Sequence, residues 1–429
     1  MTTRLQILIV ALGSGGDVYP MIDIGRSLAA RGHRVEFVSS PQFAPSVRAS
    51  DLAFHPCVSL PGDFNGTQEA GIAQGNSAYR ALFDALLRAV PAAYRIITAL
   101  HEPGRTVIVA NAAAMGARIA RETLGAPLVT VHFQPILLRS RNHQPGLIVS
   151  KKWRPLVRAM RAVLVPALDR WVFDPALAPG LNEFRGRLGL PPVKRVFGGW
   201  IHSPDLVLGL FPDWFATPEP DWPPHTHLVG FPPTDLVFTP GEDPPLDAFL
   251  DSGSPPVVFS SSSMPPFARR FFDTSIEACR RTGRRALLVT HARERLPGLP
   301  SHVHHVTDTP VGHVLARAAA LVHHGGVNTM AAAFAAGIPQ IAVPLTFDQP
   351  DNAARLRALG AGAVVRPTAY FADTVGRTLN QVLTSASILT TCRTIAARVR
   401  TAEPMRQACT LIERAGAQPM GQIVETHAS

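Results

Sequence analysis

Cysteine is scarce in this chain of 429 residues: Cys57, Cys279, Cys392 and Cys409 form no Cys-x-x-Cys pair and no metal-ligand spacing. That excludes a disulfide scaffold and a zinc module, and reads as reduced, buried thiols in a cytoplasmic protein. Long apolar runs are missing too, since none reaches the ~18–20 residues that cross a bilayer. The apolar start, Ile7 to Leu12, leads into a glycine turn and reads as a first strand, not a secretion signal. Charged residues make up only 17% against 46% hydrophobic ones, so much surface is buried and the length allows two domains. Lys and Arg number 41 against 31 Asp and Glu, a net +10. No dense basic run with interleaved aromatics accompanies that surplus, and no zinc-finger or RNP-type motif, so nucleic acid is not the expected partner. Anionic ligands, or peripheral contact with an anionic membrane at the inner face, fit it. There is no internal repeat and no low-complexity tract.

What is present is an alternation of short apolar strands and helices, most informative from Leu321 to Asn352. The pattern predicts a strand over Ala319 to Val322, a turn at His323-His324-Gly325-Gly326, and a helix with Asn328 or Thr329 as N-cap. Gly337 and Pro339 stop that helix. A second strand, Gln340 to Val343, leads to a loop with Asp348 and Gln349. In an open parallel sheet, such loops lie at the carboxyl ends of the strands, where ligands bind. The glycines admit a ligand close to backbone N–H groups, and the helix start favours a phosphate. His324, Asn328 and Thr329 add donors there, while Asp348 and Gln349 accept hydrogen bonds and suit a polyol. Phosphate beside polyol describes a sugar nucleotide. The rival is a glycine-rich turn that binds nothing.

HHGGVNT, followed by DQ, resembles the donor signature of family 1 glycosyltransferases, His-x-Gly-x-x-(Ser/Thr) to (Asp/Glu)-Gln. The resemblance implies an α/β GT-B fold, two Rossmann-like domains with parallel sheets facing across a cleft. It places His324 on the diphosphate of a dTDP- or UDP-type sugar donor, with Gly325, Gly326, Asn328 and Thr329 around it. Asp348 and Gln349 then hold sugar hydroxyls, and Ser263 and Thr309 contact the nucleotide. No cofactor beyond that co-substrate is implied. No Asp-x-Asp occurs, so nothing suggests the metal site of many other sugar-nucleotide transferases.

Toward the N-terminus, Ile7 to Leu12 reads as a buried strand and Gly13 to Asp17 as a turn, with a helix beginning at Pro20. The dinucleotide fingerprint fails because its third glycine falls at Val18, yet Glu36 could mimic the ribose-binding acid, so an NAD-binding oxidoreductase stays open. GSGGDVYP resembles the first loop of bacterial family 1 enzymes, which implies Asp17 as general base. The competing role for Asp17 is helix capping. His132, Phe133 and Gln134 follow a strand over Leu128 to Val131 and are candidates for the acceptor side.

Lys151 to Phe173 mixes six basic residues with an apolar face. It reads as a helix pair, interrupted by Pro155 and Pro166, that lines a lipophilic pocket, rests on anionic lipid, or is an ordinary amphipathic helix. Pro192 to Pro232, with Lys194, Arg195, Trp200, His202, Ser203, Pro204, Trp214, Asp221, Trp222, Gly230 and Phe231, resembles the rhamnosyltransferases of rhamnolipid synthesis. That resemblance implies an inverting transfer of L-rhamnose from dTDP-L-rhamnose to a hydroxyalkanoyloxyalkanoate, a lipophilic hydroxyl acceptor. Transfer to a polyketide, sterol or phenol, or a silent sugar-nucleotide-binding protein, are the alternatives. The expected division is an acceptor domain over 1–231, a linker over 232–256 and a donor domain over 257–405. A final helical stretch, 406–429, returns toward the first domain by the same resemblance.

Overall fold

The computed structural model describes residues 4–58, 76–140, 154–233, 243–260, 265–290, 298–307 and 311–417. Ser263 and Thr309 lie outside the described residues. The described residues up to Pro232, with those from Glu403 on, form one compact unit, and Pro233–Ala402 form a second.

The first unit is built on seven strands: β1 (Gln6–Ala11), β2 (Arg34–Ser39), β3 (Ala53–Pro56), β4 (Thr106–Asn111), β5 (Leu128–His132), β6 (Leu206–Gly209) and β7 (Thr226–Leu228). They lie in the order β3-β2-β1-β4-β5-β6-β7, and all pairs are parallel. Every residue of β1, β4, β5 and β6 is buried, as helices on both faces require. The second unit carries β8 (Val257–Ser260), β9 (Ala286–Val289), β10 (Val303–Val306), β11 (Ala320–His323), β12 (Gln340–Ala342) and β13 (Gly362–Val364). Their order is β10-β9-β8-β11-β12-β13, again all parallel. In each sheet the strand order reverses at one point, between β1 and β4 in the first and between β8 and β11 in the second. Those are the places where a doubly wound sheet opens a crevice.

Local details differ from the sequence reading for identifiable reasons. The first helix spans Gly15–Ala30, starting five residues before Pro20, because Ser14 and Asp17 organise its first turn. Around Pro155 and Pro166 the chain stays helical: Arg154–Leu168 runs into a π-helical turn, Asp169–Phe173, and then Asp174–Arg187. A π turn lets a helix continue past residues that lack the amide donor. Within the span expected as linker, Pro244–Asp251 forms a helix that buries Leu246 and Leu250 in the core of the second unit. The last helix, Pro404–Ala417, packs on the first unit, where Glu413 meets Arg31 at 2.8 Å and His33 at 3.0 Å. Among the described residues, no helix is long and apolar enough to cross a membrane.

Asp23 sits in the first helix only 3% exposed, with one carboxyl oxygen unpartnered among the described residues, and burial pushes its pKa up to about 7. A folded-state pKa above the unfolded value gives stability that is present at low pH and lost as pH rises through about 7. Asp23→Asn is therefore expected to leave stability near pH 3, below the unfolded value, unchanged and to raise it at pH 8, by roughly 1–4 kcal/mol, read by urea melts at both values.

Candidate active site

The first unit's crevice is shaped by the turn after β1. Asn111, the last residue of β4, accepts from the Leu12 N–H at 3.2 Å and donates to the Leu12 carbonyl at 2.6 Å. This two-point grip replaces strand pairing where the sheet divides, and aims the following turn away from β4. Gly13 then takes φ +132°, and a Cβ there would lie 2.5 Å from the Asp17 carboxylate, so glycine is required for the close approach. Asp17 Oδ2 accepts from the Ser14 N–H and from the Ser14 hydroxyl, both at 2.9 Å. Asp17 thus does organise the helix start, and the capping role coexists with whatever chemistry it performs.

Burial raises the Asp17 pKa above the ordinary Asp value, while hydrogen bonds from Ser14 and Gln134 pull it back. Gln134 is the acceptor-side candidate that the fold brings to Asp17. His132 and Phe133 are buried, at 0% and 2% exposure. His132 Nε2 lies 2.9 Å from His202 Nδ1 with the rings edge to face, and burial holds both imidazoles neutral, His202 at about 4. The pair joins β5 to the Pro192–Pro232 motif, a partnership across 70 residues that no local pattern signals.

Three other residues of that motif, Trp200, Ser203 and Asp205, make structural contacts. Ser203 donates to the Leu128 carbonyl at 2.6 Å, and Asp205 takes a two-point contact from Arg121 and the Leu128 N–H. The Trp200 indole donates to Glu122 at 2.9 Å and is flanked by Arg118 and Arg185. Glu36, the residue that kept a ribose site open, is committed to His55 at 2.7 Å and Arg34 at 3.2 Å.

In the second unit, β11 ends at His323, fully buried, whose Nδ1 accepts the Gly325 N–H at 3.1 Å. His323 is therefore a turn-holding residue, and the Gly325 N–H is spent internally. Gly325 takes φ +95°, and the helix Val327–Ala336 begins with Gly326 as N-cap. Asn328 and Thr329, expected at the cap, instead stand in the first turn, since Gly326 already has the extended backbone a cap needs. Gly337 closes the helix in the left-handed conformation, as the sequence implied. His324 lies against Gly326, where a Cβ would come within 2.5 Å of its Nε2. Burial lowers its pKa to about 4, opposed by a Ser260 backbone hydrogen bond, and its buried Nδ1 has no partner among the described residues. It is a neutral imidazole with a nitrogen to offer.

The loop after β12 closes on this turn. A helix starts at Gln349, with Asp348 as N-cap and Phe347 in the left-handed region at φ 56°. Such a conformation in a large side chain stores strain and marks a constrained loop. Gln349 Oε1 accepts from Leu345 N at 2.8 Å and Thr346 N at 3.2 Å, which leaves its NH₂ as the group to offer. Gln349 is thus a donor, where the sequence suggested an acceptor. Asn352, fully buried, donates to the Gly325 carbonyl at 3.0 Å and to Asp348 Oδ2 at 2.6 Å. One side chain thereby sets the glycine turn and the carboxylate loop in register. Asn352→Ala is expected to cost about 1–3 kcal/mol in stability and to weaken binding of a nucleoside diphosphate sugar about tenfold. A melt and a calorimetric titration would check both.

Comparison with known proteins places these features in a context. Residues 286–411 match the family model of the erythromycin biosynthesis protein CIII-like C-terminal domain, and residues 7–140 match the glycosyltransferase family 28 N-terminal domain. The O-mycaminosyltylonolide 6-deoxyallosyltransferase of Streptomyces fradiae is 30% identical over 434 residues, covering 95% of this chain and 97% of that protein. The glycotransferase of kitacinnamycin superposes with a TM-score of 0.74 at 20% identity, covering 96% of this chain and 99% of that one. The glycosyltransferase VinC in complex with dTDP superposes with a TM-score of 0.67 at 18% identity, covering 96% and 100%.

Proposed function

Because this chain belongs to the family 1 glycosyltransferases of the GT-B fold, we propose that it moves a hexose from a dTDP-sugar to a hydroxyl of a lipophilic acceptor with inversion at the anomeric carbon. Asp17 is the general base. An aliphatic hydroxyl is too weak an acid to ionise first, so its proton passes to Asp17 as the new glycosidic bond forms and the bond to the diphosphate breaks. His324 and the N–H groups of the helix start at Val327 answer the charge on the leaving diphosphate. Asp348 and the Gln349 NH₂ hold the sugar hydroxyls.

The observation that carries this reading is the Asn352 tie, which sets a phosphate-suited helix start beside a polyol-suited carboxylate and carboxamide. For the finer specificity, the Pro192–Pro232 resemblance favours L-rhamnose from dTDP-L-rhamnose and a hydroxyalkanoyloxyalkanoate acceptor, giving a mono-rhamnolipid. A second reading, transfer from a dTDP- or UDP-sugar to another lipophilic aglycone, is favoured by the Streptomyces relative, whose name specifies a 6-deoxyallosyl group and O-mycaminosyltylonolide. A thermal-shift panel of dTDP, UDP and NAD tests the site, because a ligand bound only to the native state raises the melting temperature. Stabilisation by NAD alone overturns the proposal. Mass spectrometry of products from a donor-by-acceptor matrix then separates the two acceptor readings.

A further inference from the structure

The helix Arg154–Leu168 and the π turn after it leave an apolar stripe uncovered among the described residues. Met160, Val163, Leu164, Leu168, Trp171 and Val172 are between 44% and 71% exposed, with Trp171 the most exposed at 71%. Steps of three and four residues put them along one side of the helix. The side that docks on the first unit is roughly opposite. There the Val165 carbonyl and the Asp169 carboxylate meet Arg139, and Phe173 packs edge to face on Phe83. Arg139 belongs to the loop that carries Gln134, so the stripe is turned away from the acceptor side of Asp17 and needs an occupant from outside the unit.

Charge selects that occupant. Arg170 is exposed with its guanidinium over the Trp171 ring at 5.2 Å, and the sequence places Arg154, Arg158 and Arg161 in the same helix. The nearby acid, Asp169, is buried in its ion pair with Arg139. A two-fold pairing of copies through this face would bring like charges together. An apolar strip edged by arginine, with an indole at its end, matches the interfacial zone of an anionic bilayer.

We propose that the 154–173 segment is a peripheral membrane-docking helix, lying in the plane of an anionic lipid surface through Met160, Leu164, Leu168 and Trp171. Each basic residue near an anionic leaflet adds about fivefold to partitioning, so binding rises with anionic lipid and falls with salt. The test is flotation of the full chain with vesicles of phosphatidylcholine alone and with 30% phosphatidylglycerol. We compare wild type with L168E/W171E, whose exposed positions leave the fold intact, as circular dichroism and the dTDP-induced thermal shift would verify.

Expected are binding to anionic vesicles at least tenfold above neutral ones, its loss at 0.5 M salt, and at least tenfold weaker binding by L168E/W171E. Transfer to a soluble acceptor should be equal in both proteins, so a failure of the transferase reading is seen separately. Equal binding by the two proteins overturns the proposal, as does no preference for anionic lipid. A concentration-dependent dimer that L168E/W171E abolishes, without vesicle binding, overturns it in favour of a second copy as occupant.

Discussion

Asp17→Asn should lower kcat by about 10²–10⁴-fold, the usual contribution of a positioned general base. Donor affinity should stay within about twofold, because Asp17 belongs to the first unit and the donor residues to the second. The variant should also remain folded. Asn can still accept from the Ser14 N–H at the helix start, and a neutral side chain suits a position where burial already disfavours the carboxylate. The pH profile makes the assignment specific. The base acts ionised, so activity is present above its pKa and falls as pH drops through it. Burial lifts that pKa above 3.8, and the acid limb of kcat/KM should lie correspondingly high. Ser14→Ala removes a hydrogen bond that favours the carboxylate, so the limb should move to still higher pH while the maximal rate is nearly kept. A limb that stays put in Ser14→Ala, or full activity in Asp17→Asn, would remove Asp17 from the reaction.

Much of this architecture is legible in the chain because parallel strands buried on both faces must be apolar throughout. QILIVA, TVIVAN and LVTVH could hardly be anything else, and the glycine turn after the first locates a crevice. The edge strands β3 and β7 escape notice: AFHP and THL are short, part-exposed and unpatterned. The first helix begins early because Ser14 and Asp17 outweigh two poor helix formers, Gly15 and Gly16. In the site, HHGG and DQ announce themselves, whereas Asn111, Asn352 and His202 do not. Each works by reaching across 70 or more residues, or between two loops, to a backbone or ring atom. The long motif around Trp200 is legible as a resemblance but not as structure. Trp200, Ser203 and Asp205 interlock β5, the helix Met115–Leu124 and one another, contacts that the sequence alone does not announce.

His324→Ala should cost about 10²–10³-fold in kcat/KM, the range for removing one donor aimed at developing charge. Most of the loss should fall on kcat, because the diphosphate oxygen gains charge only as the glycosidic bond breaks. What distinguishes this histidine from a generic phosphate-binding cation is its protonation state. Burial takes its pKa down to about 4, so near neutral pH it is an uncharged imidazole, which donates to a diphosphate in the tautomer that turns its one N–H from Ser260 to the ligand. His324→Gln, neutral and able to donate, should then recover roughly tenfold of the Ala defect, and His324→Lys should recover less despite its charge, since the site desolvates an ammonium. The same logic fixes the binding experiment. If the imidazole stays neutral with the diphosphate beside it, calorimetry of dTDP binding in buffers of different ionisation enthalpy should show no net proton uptake at pH 7. Uptake of one proton, together with a Gln variant as poor as Ala, would mean that the phosphate draws His324 into its cationic form, and the leaving group would then be met by a full charge.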